Sequence, residues 1–175
     1  MNKFSGALHG KTVLITGGSS GIGLALADLA SRAGAHVWLL ARDREKLEKA
    51  YAGLATDGGQ NHGILSADVA DWGQVSAAIE QVQLQAGTPD IVINSAGETF
   101  PGYVQDIGQD IFHRLMDSNY FGTVHVIKAV LPGMLERGSG HIVNISSAAG
   151  FLGVFGYSAY GAAKYAVRGL SDVLR

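Results

Sequence analysis

Near the end of the chain, the stretch YGAAK sets Tyr160 and Lys164 four positions apart. On a helix, positions i and i+4 share a face, so a phenol and an ammonium would project side by side. A phenol of pKa about 10 is a poor proton carrier at neutral pH, and an adjacent ammonium lowers that value by favouring phenolate. Such a pair can move a proton on a carbonyl or alcohol oxygen. The same spacing also occurs on the ordinary surface of soluble helices. Just upstream, the apolar run HIVNIS ends in Ser146 and Ser147. A hydroxyl at a strand end and a phenol–ammonium pair on the next helix can converge above one sheet edge, the hydroxyl orienting the oxygen that the phenol protonates.

The elements that must hold these groups alternate along the chain. KTVLIT (11–16), HVWLLA (36–41), HGILSA (62–67), DIVIN (90–94) and HIVNIS (141–146) are short runs rich in β-branched residues, the pattern of strands covered on both faces. Between them lie segments of helical period: 22–33, 44–54, 75–85 and one long helix from about 111 to 135. This alternation predicts an α/β fold, a doubly wound, Rossmann-like parallel sheet of right-handed βαβ units within a single domain over 1–175. Ligands of such sheets bind at the carboxyl ends of the strands.

The first strand end carries TGGSSGIG, Thr16 to Gly23, between a strand and a helix. That is the setting in which backbone approaches a diphosphate and a helix N-terminus supplies free N–H groups. A glycine-capped flexible loop is the alternative. The second strand ends in Ala41 and Arg42, where a carboxylate would select NAD through the ribose 2′-hydroxyl and an arginine accommodates a 2′-phosphate. The residues therefore favour NADP(H), unless Arg42 only opens a solvated helix with Asp43, Arg44 and Glu45. Asp68-Val69 follows the third strand, and Asn94-Ser95-Ala96-Gly97 the fourth. Asn119 interrupts an otherwise apolar helical stretch, which costs propensity and points to a polar task.

Composition narrows the partners. Thirteen basic against fifteen acidic residues give a net charge of −2, no footprint for nucleic acid or an acidic membrane. The chain has no cysteine, hence neither disulfides nor a thiolate metal site, and no apolar run approaches a membrane span. The six histidines show no ligand spacing and read as surface or strand-end residues; no metal site is expected. A soluble, cytoplasmic protein acting on a small molecule is the expectation.

The T-G-x-x-x-G-x-G turn, Asp68-Val69, N-S-A-G, the mid-helix Asn119, a serine thirteen residues before the tyrosine, and Y-x-x-x-K together resemble the short-chain dehydrogenase/reductase family across essentially the whole chain. The resemblance implies that Tyr160 is the acid–base, and that Ser147 rather than Ser146 polarises the substrate carbonyl. Lys164 would bind the nicotinamide ribose and lower the tyrosine pKa, and Asn119 would hold a water relaying protons from that lysine. Gly17, Ser19, Ser20, Gly21, Ile22 and Gly23 would line the diphosphate, with Asp68 and Val69 at the adenine and Asn94, Ala96 and Gly97 beside the ribose. A homodimer or homotetramer is implied as well. Ser95 departs from the usual N-N-A-G, and Ala163 from the serine often found before the lysine; neither removes a reacting group.

Within that family the stretches ARDREKLEKA, MDSNYFGTVHVIKAVLPGM and SSAAGFLGVFGYSAYGAAKYAVRGLSDVLR are similar to the 3-ketodihydrosphingosine reductases, which implies an NADPH-dependent reduction of a ketone on a hydrophobic, sphingolipid-like substrate. Phe151, Leu152, Val154, Phe155 and Tyr157 would form the apolar wall of that substrate site, or else pack on protein. Other readings are a reductase for another lipid, steroid or small carbonyl, a non-catalytic NADP sensor, and a nucleotide-sugar epimerase, whose first turn normally runs G-x-x-G-x-x-G. Family members carry two further strands and much of the substrate pocket beyond the point at which this sequence stops. The expectation is accordingly a domain incomplete at its C-terminus, with the HIVNIS edge unpaired.

Overall fold

The computed structural model describes residues 6–56 and 58–174. In chain order the elements are β1 (Thr12–Thr16), α1 (Gly21–Arg32), β2 (His36–Ala41), α2 (Arg44–Ala52), β3 (Gly63–Ser66), α3 (Trp72–Ala86), β4 (Ile91–Asn94), α4 (Gln109–Leu115), a π-helical turn (Met116–Phe121), α5 (Gly122–Arg137), β5 (His141–Asn144), a short 3-10 turn (Ala148–Gly150) and α6 (Ser158–Val173). All strand pairs are parallel, in the order β3-β2-β1-β4-β5. The chain builds outward from β1 to β3 and then returns to start again on the other side at β4. The crevice between β1 and β4 is the switch point of the sheet, where strand ends splay and a ligand can enter.

Period-two alternation sends successive side chains of each strand to opposite faces. Leu14, Trp38, Leu40, Leu65 and Val92 meet Val75, Ile79 and Val82 of α3 and Val126, Val130 and Met134 of α5. Val13, Ile15, Val37 and Leu39 meet Ala27 and Ala30 of α1 and Leu47 and Ala50 of α2. Every residue of β1 is buried, which explains its unbroken apolar run. By contrast β5 alternates exposed and half-buried residues, as the edge strand of the described sheet.

Two expectations change. The single helix expected over 111–135 is α4 and α5 joined by a π turn. Asn119 causes the interruption: its Nδ2 donates to the Leu115 carbonyl at 2.9 Å, a bond that competes with the regular backbone ladder, and to the Glu98 carbonyl at 2.9 Å. His62 does sit at a strand end, but it is buried rather than superficial. Its Nδ1 accepts the Val37 N–H at 3.0 Å, so Nε2 carries the hydrogen and donates to the Ala55 carbonyl at 2.8 Å. One imidazole thus ties β2 to the connection between α2 and β3.

His62→Ala is expected to destabilise the fold by about 2–4 kcal/mol, because it strands a buried donor and acceptor and leaves a void. A denaturant titration measures it. A loss under about 0.5 kcal/mol would mean that water replaces both bonds.

Candidate active site

The glycine turn after β1 has the geometry its sequence demands. Gly17 and Gly21 have φ of +67° and +54°, in the left-handed region that favours glycine. A Cβ on Gly17 would press on the Ala96 backbone at 3.0 Å, and one on Gly23 would collide with the Gly17 carbonyl. Gly23 therefore lets α1 close onto the turn while Gly17 and Gly21 shape it. Ser20 at the N-cap of α1 makes no side-chain cap bond, so no side chain there competes with an anion for the first-turn amides. Across the crevice, Thr16 Oγ1 accepts the Ser95 and Ala96 N–H groups at 3.1 and 3.0 Å, stitching the turn after β4 to the end of β1.

Two adjoining cavities run along these strand ends. The outer one, about 220 Å³, is lined by Gly17, Ser19, Ser20, Ala41, Arg42, Asp43, Lys46, Asp68, Val69, Ala96, Gly97, Glu98 and Ser118 among others. The inner one, about 300 Å³, shares Gly17, Ser20, Ala96, Gly97 and Glu98 with it and reaches Gly21, Ile22, Asn119, Ser146, Tyr160 and Lys164. Gly17 and Gly97 carry the join, each at a point where an added methyl would meet the opposite wall. A third cavity, about 320 Å³, opens beyond Tyr160 and is lined by Thr99, Ser147, Ala148, Ala149, Val154 and Tyr157.

The inner cavity holds a buried acceptor without a protein partner beside a buried ammonium. Asn119 is buried on the π turn, and its Oδ1 has no hydrogen-bond partner. A Cβ built on Gly97 would collide with that oxygen and stand 3.5 Å from Lys164 Nζ, so carbonyl oxygen and ammonium face one gap. Lys164 donates to the Ile145 carbonyl at 3.0 Å and lies 5.7 Å from the centre of the Tyr160 ring. Burial pushes its pKa below the ordinary lysine value. The lysine carbonyl is used too, accepting the Ser146 hydroxyl at 3.0 Å.

The serine pair divides across Tyr160. Ser146 lines the inner cavity and is spent on α6, whereas Ser147 lines the third cavity beside the tyrosine. Ser147 Oγ accepts the Ala149 N–H at 3.2 Å, which holds it at the head of the 3-10 turn and leaves its O–H to donate. Tyr160 alone of the ionisable side chains lines both spaces.

Not every residue expected at the site faces it. Asn94 is buried behind the strand ends, where Nδ2 donates to Asn144 Oδ1 at 2.9 Å; Asn144 in turn donates to Ser171 on α6 at 2.9 Å. Gly23 supports the turn without lining a cavity. Of the apolar stretch, Val154 and Tyr157 line the third cavity, while Phe151 lies under the Arg168 guanidinium at 4.0 Å and Phe155 meets Tyr103 in a tilted contact with ring centroids 4.9 Å apart. Asp68 serves twice: Oδ1 closes a turn on the Ala70 N–H at 3.0 Å, and Oδ2 stands 3.8 Å from Arg42. Thr16 entered the sequence reading only as the first residue of the glycine turn, and Lys46, Glu98, Thr99 and Ser118 were not singled out. Only Lys46 left a signal there, an Asp three residues before it at a helix start. Among the described residues no group of His, Cys, Asp and Glu could hold a metal, and no helix is long and apolar enough to cross a membrane.

This fold, with its glycine turn at the switch point and a Tyr-Lys pair on the helix after β5, defines a class. The chain belongs to the short chain dehydrogenase family, whose model matches residues 11–175. It is 40% identical over 172 residues to the 3-dehydrosphinganine reductase of Danio rerio, covering 96% of this chain and 52% of that protein. The chain thus spans about half the length of the curated relatives it matches. Among solved structures, L-sorbose reductase of Gluconobacter frateurii complexed with NADPH and L-sorbose superposes with a TM-score of 0.90 at 30% identity, covering 95% of this chain and 63% of that one. NAD+-bound xylitol dehydrogenase does so at 0.91 and 34%, covering 99% and 65%. The first of these structures holds NADPH and the second NAD+.

Proposed function

We propose that this chain forms the cofactor-binding and catalytic part of an NADPH-dependent reductase that converts a ketone on an apolar substrate to an alcohol. The observation that carries the reading is the position of Tyr160, which lines both the cavity holding Lys164 and Asn119 and the cavity holding Ser147. The glycine cradle, the uncapped start of α1 and the two joined cavities fit an extended dinucleotide, its diphosphate at the turn and its nicotinamide end toward Tyr160. Bound there, the dinucleotide supplies the hydride to the carbonyl carbon. Ser147 donates a hydrogen bond to the carbonyl oxygen, and Tyr160 Oη delivers the proton to it as the alcohol forms. Lys164 supplies the positive charge beside the phenolate left behind, and burial, which pushes the lysine pKa below its ordinary value, makes its ammonium readier to give up a proton. The gap between Lys164 Nζ and Asn119 Oδ1 has the polar lining to seat a water on that return path.

Arg42 at the outer rim, with Ala41 where an acid would select NAD, supports NADPH as the form used. The substrate class rests on Val154 and Tyr157 beside Ser147 and on the kinship with a 3-dehydrosphinganine reductase. An NADPH-oxidation panel on the intact protein tests the reading with a long-chain 2-amino-3-ketone, a long-chain ketone lacking the amine, a steroid ketone and a keto sugar. The expected result is turnover of the long-chain ketones, with sugar and steroid at least about ten-fold slower in kcat/KM. NADPH binding without oxidation by any carbonyl would replace the enzyme with a sensor.

A further inference from the structure

The outer cavity contains a cation that the reading above leaves unused. Lys46, on the first turn of α2, lines it together with Ser19, Ser20 and Arg42. Its placement is fixed twice by one residue. Asp43 caps α2 by accepting the Lys46 N–H on Oδ1 at 3.0 Å, and its Oδ2 holds Lys46 Nζ at 3.2 Å. These bonds, the backbone one first, hold the Asp43 carboxyl below its usual range, so it stays ionised as Lys46's partner.

The charges of the rim pair off: Arg42 stands 3.8 Å from Asp68, Lys46 3.2 Å from Asp43, and Glu98 3.1 Å from Arg114. The protein's own charges at the rim therefore come close to cancelling. A phosphate monoester brings about −1.5 to −2 charge and three strong acceptor oxygens. One guanidinium that already shares its charge with Asp68 cannot balance that load. Lys46 supplies a second positive charge and up to three donors on the same rim, and as a flexible point charge it can turn from Asp43 to an oxygen that Arg42 leaves free. We propose that Lys46 acts with Arg42 as a specificity-determining residue for the 2′-phosphate of NADPH, with Asp43 as the residue that positions it. The proposal rests on the dinucleotide reading above.

Direct binding tests it without turnover. Dissociation constants for NADPH and NADH are measured by calorimetry on the parent protein and on Lys46→Met, Lys46→Arg and Arg42→Ala. Met keeps the length of the chain and its packing while removing the charge. NADPH is expected to bind the parent about ten-fold or more tighter than NADH, Arg42→Ala to erase most of that ratio, and Lys46→Met to shrink it about five-fold. NADH affinity of Lys46→Met should stay within about two-fold of the parent, and Lys46→Arg should restore the preference. Three results would overturn the proposal. If Lys46→Met leaves the ratio intact while Arg42→Ala erases it, Lys46 has no part and the NADPH reading stands. Equal loss of both cofactors would make Lys46 a structural residue of α2. A parent protein that does not discriminate would remove the NADPH reading and this proposal together.

Discussion

Replacing Tyr160 by phenylalanine is expected to leave NADPH binding within about two-fold of the parent protein and to cut ketone reduction by two or more decades. The substitution keeps the ring, and with it the packing against Tyr157 at 5.9 Å and the contact with Lys164 Nζ at 5.7 Å. Only the hydroxyl goes. The reaction must still place a proton on the developing alkoxide, and Ser147, an aliphatic hydroxyl far less acidic than a phenol, is a hydrogen-bond donor rather than a proton source. Calorimetric binding and steady-state NADPH oxidation on the same preparations separate the two effects. A variant that reduces ketones at the parent rate would place the acid–base elsewhere and leave Tyr160 as wall.

Lys164→Met should produce the opposite mixture, a large functional loss with a gain in stability. Lys164 is buried, and its ammonium donates to the Ile145 carbonyl at 3.0 Å rather than pairing with a carboxylate among the described residues. Without the ammonium, NADPH should bind about ten-fold or more weaker and turnover should fall by two or more decades, since in the proposed mechanism ribose and phenol both lose their partner. The fold meanwhile sheds a desolvated charge, which more than offsets the lost bond to Ile145, and the thermal midpoint is expected to rise by about 2–4 °C at neutral pH. The sign with pH follows from the lowered lysine pKa. Between the folded value and the ordinary 10.5 the unfolded chain binds the extra proton more strongly, so the parent's stability from this site rises with pH through that window. Below the window the burial cost is fully present. The advantage of the methionine variant should therefore be largest near neutral pH and shrink as pH approaches 10.5. Melting curves of both proteins across that range decide it. A variant less stable than the parent at every pH would show that the bond to Ile145 outweighs the burial cost.

What the sequence determined by itself was local in origin. Buried strands announce themselves as short unbroken apolar runs and helices through a period of 3.6, so five strands and most helices fell where the apolar residues put them. The glycine turn was readable because strand, turn and helix are consecutive, and the Tyr160–Lys164 face because four residues on a helix fix it. Arg42 and Asp68 could be placed at strand ends for the same reason. The tertiary structure decided whatever depends on which strands become neighbours. Order β3-β2-β1-β4-β5 brings Thr16 to the Ala96 amide, 80 residues on, and turns Asn94 toward Asn144, 50 residues on, and so away from the cavities. No periodicity encodes either contact. Strand pairing likewise gave His62 a buried place between Val37 and Ala55, and the approach of α6 to the end of β5 consumed Ser146 while leaving Ser147 beside Tyr160. The π turn required both levels: an asparagine in an apolar helix was visible as an anomaly and its bond to Leu115 is local, four residues back, but its bond to Glu98 exists only once the turn after β4 lies against that helix. Lys46 is the same kind of case. Its capping aspartate is written in the sequence, and its place on the rim with Arg42 is set by how α2 leaves β2.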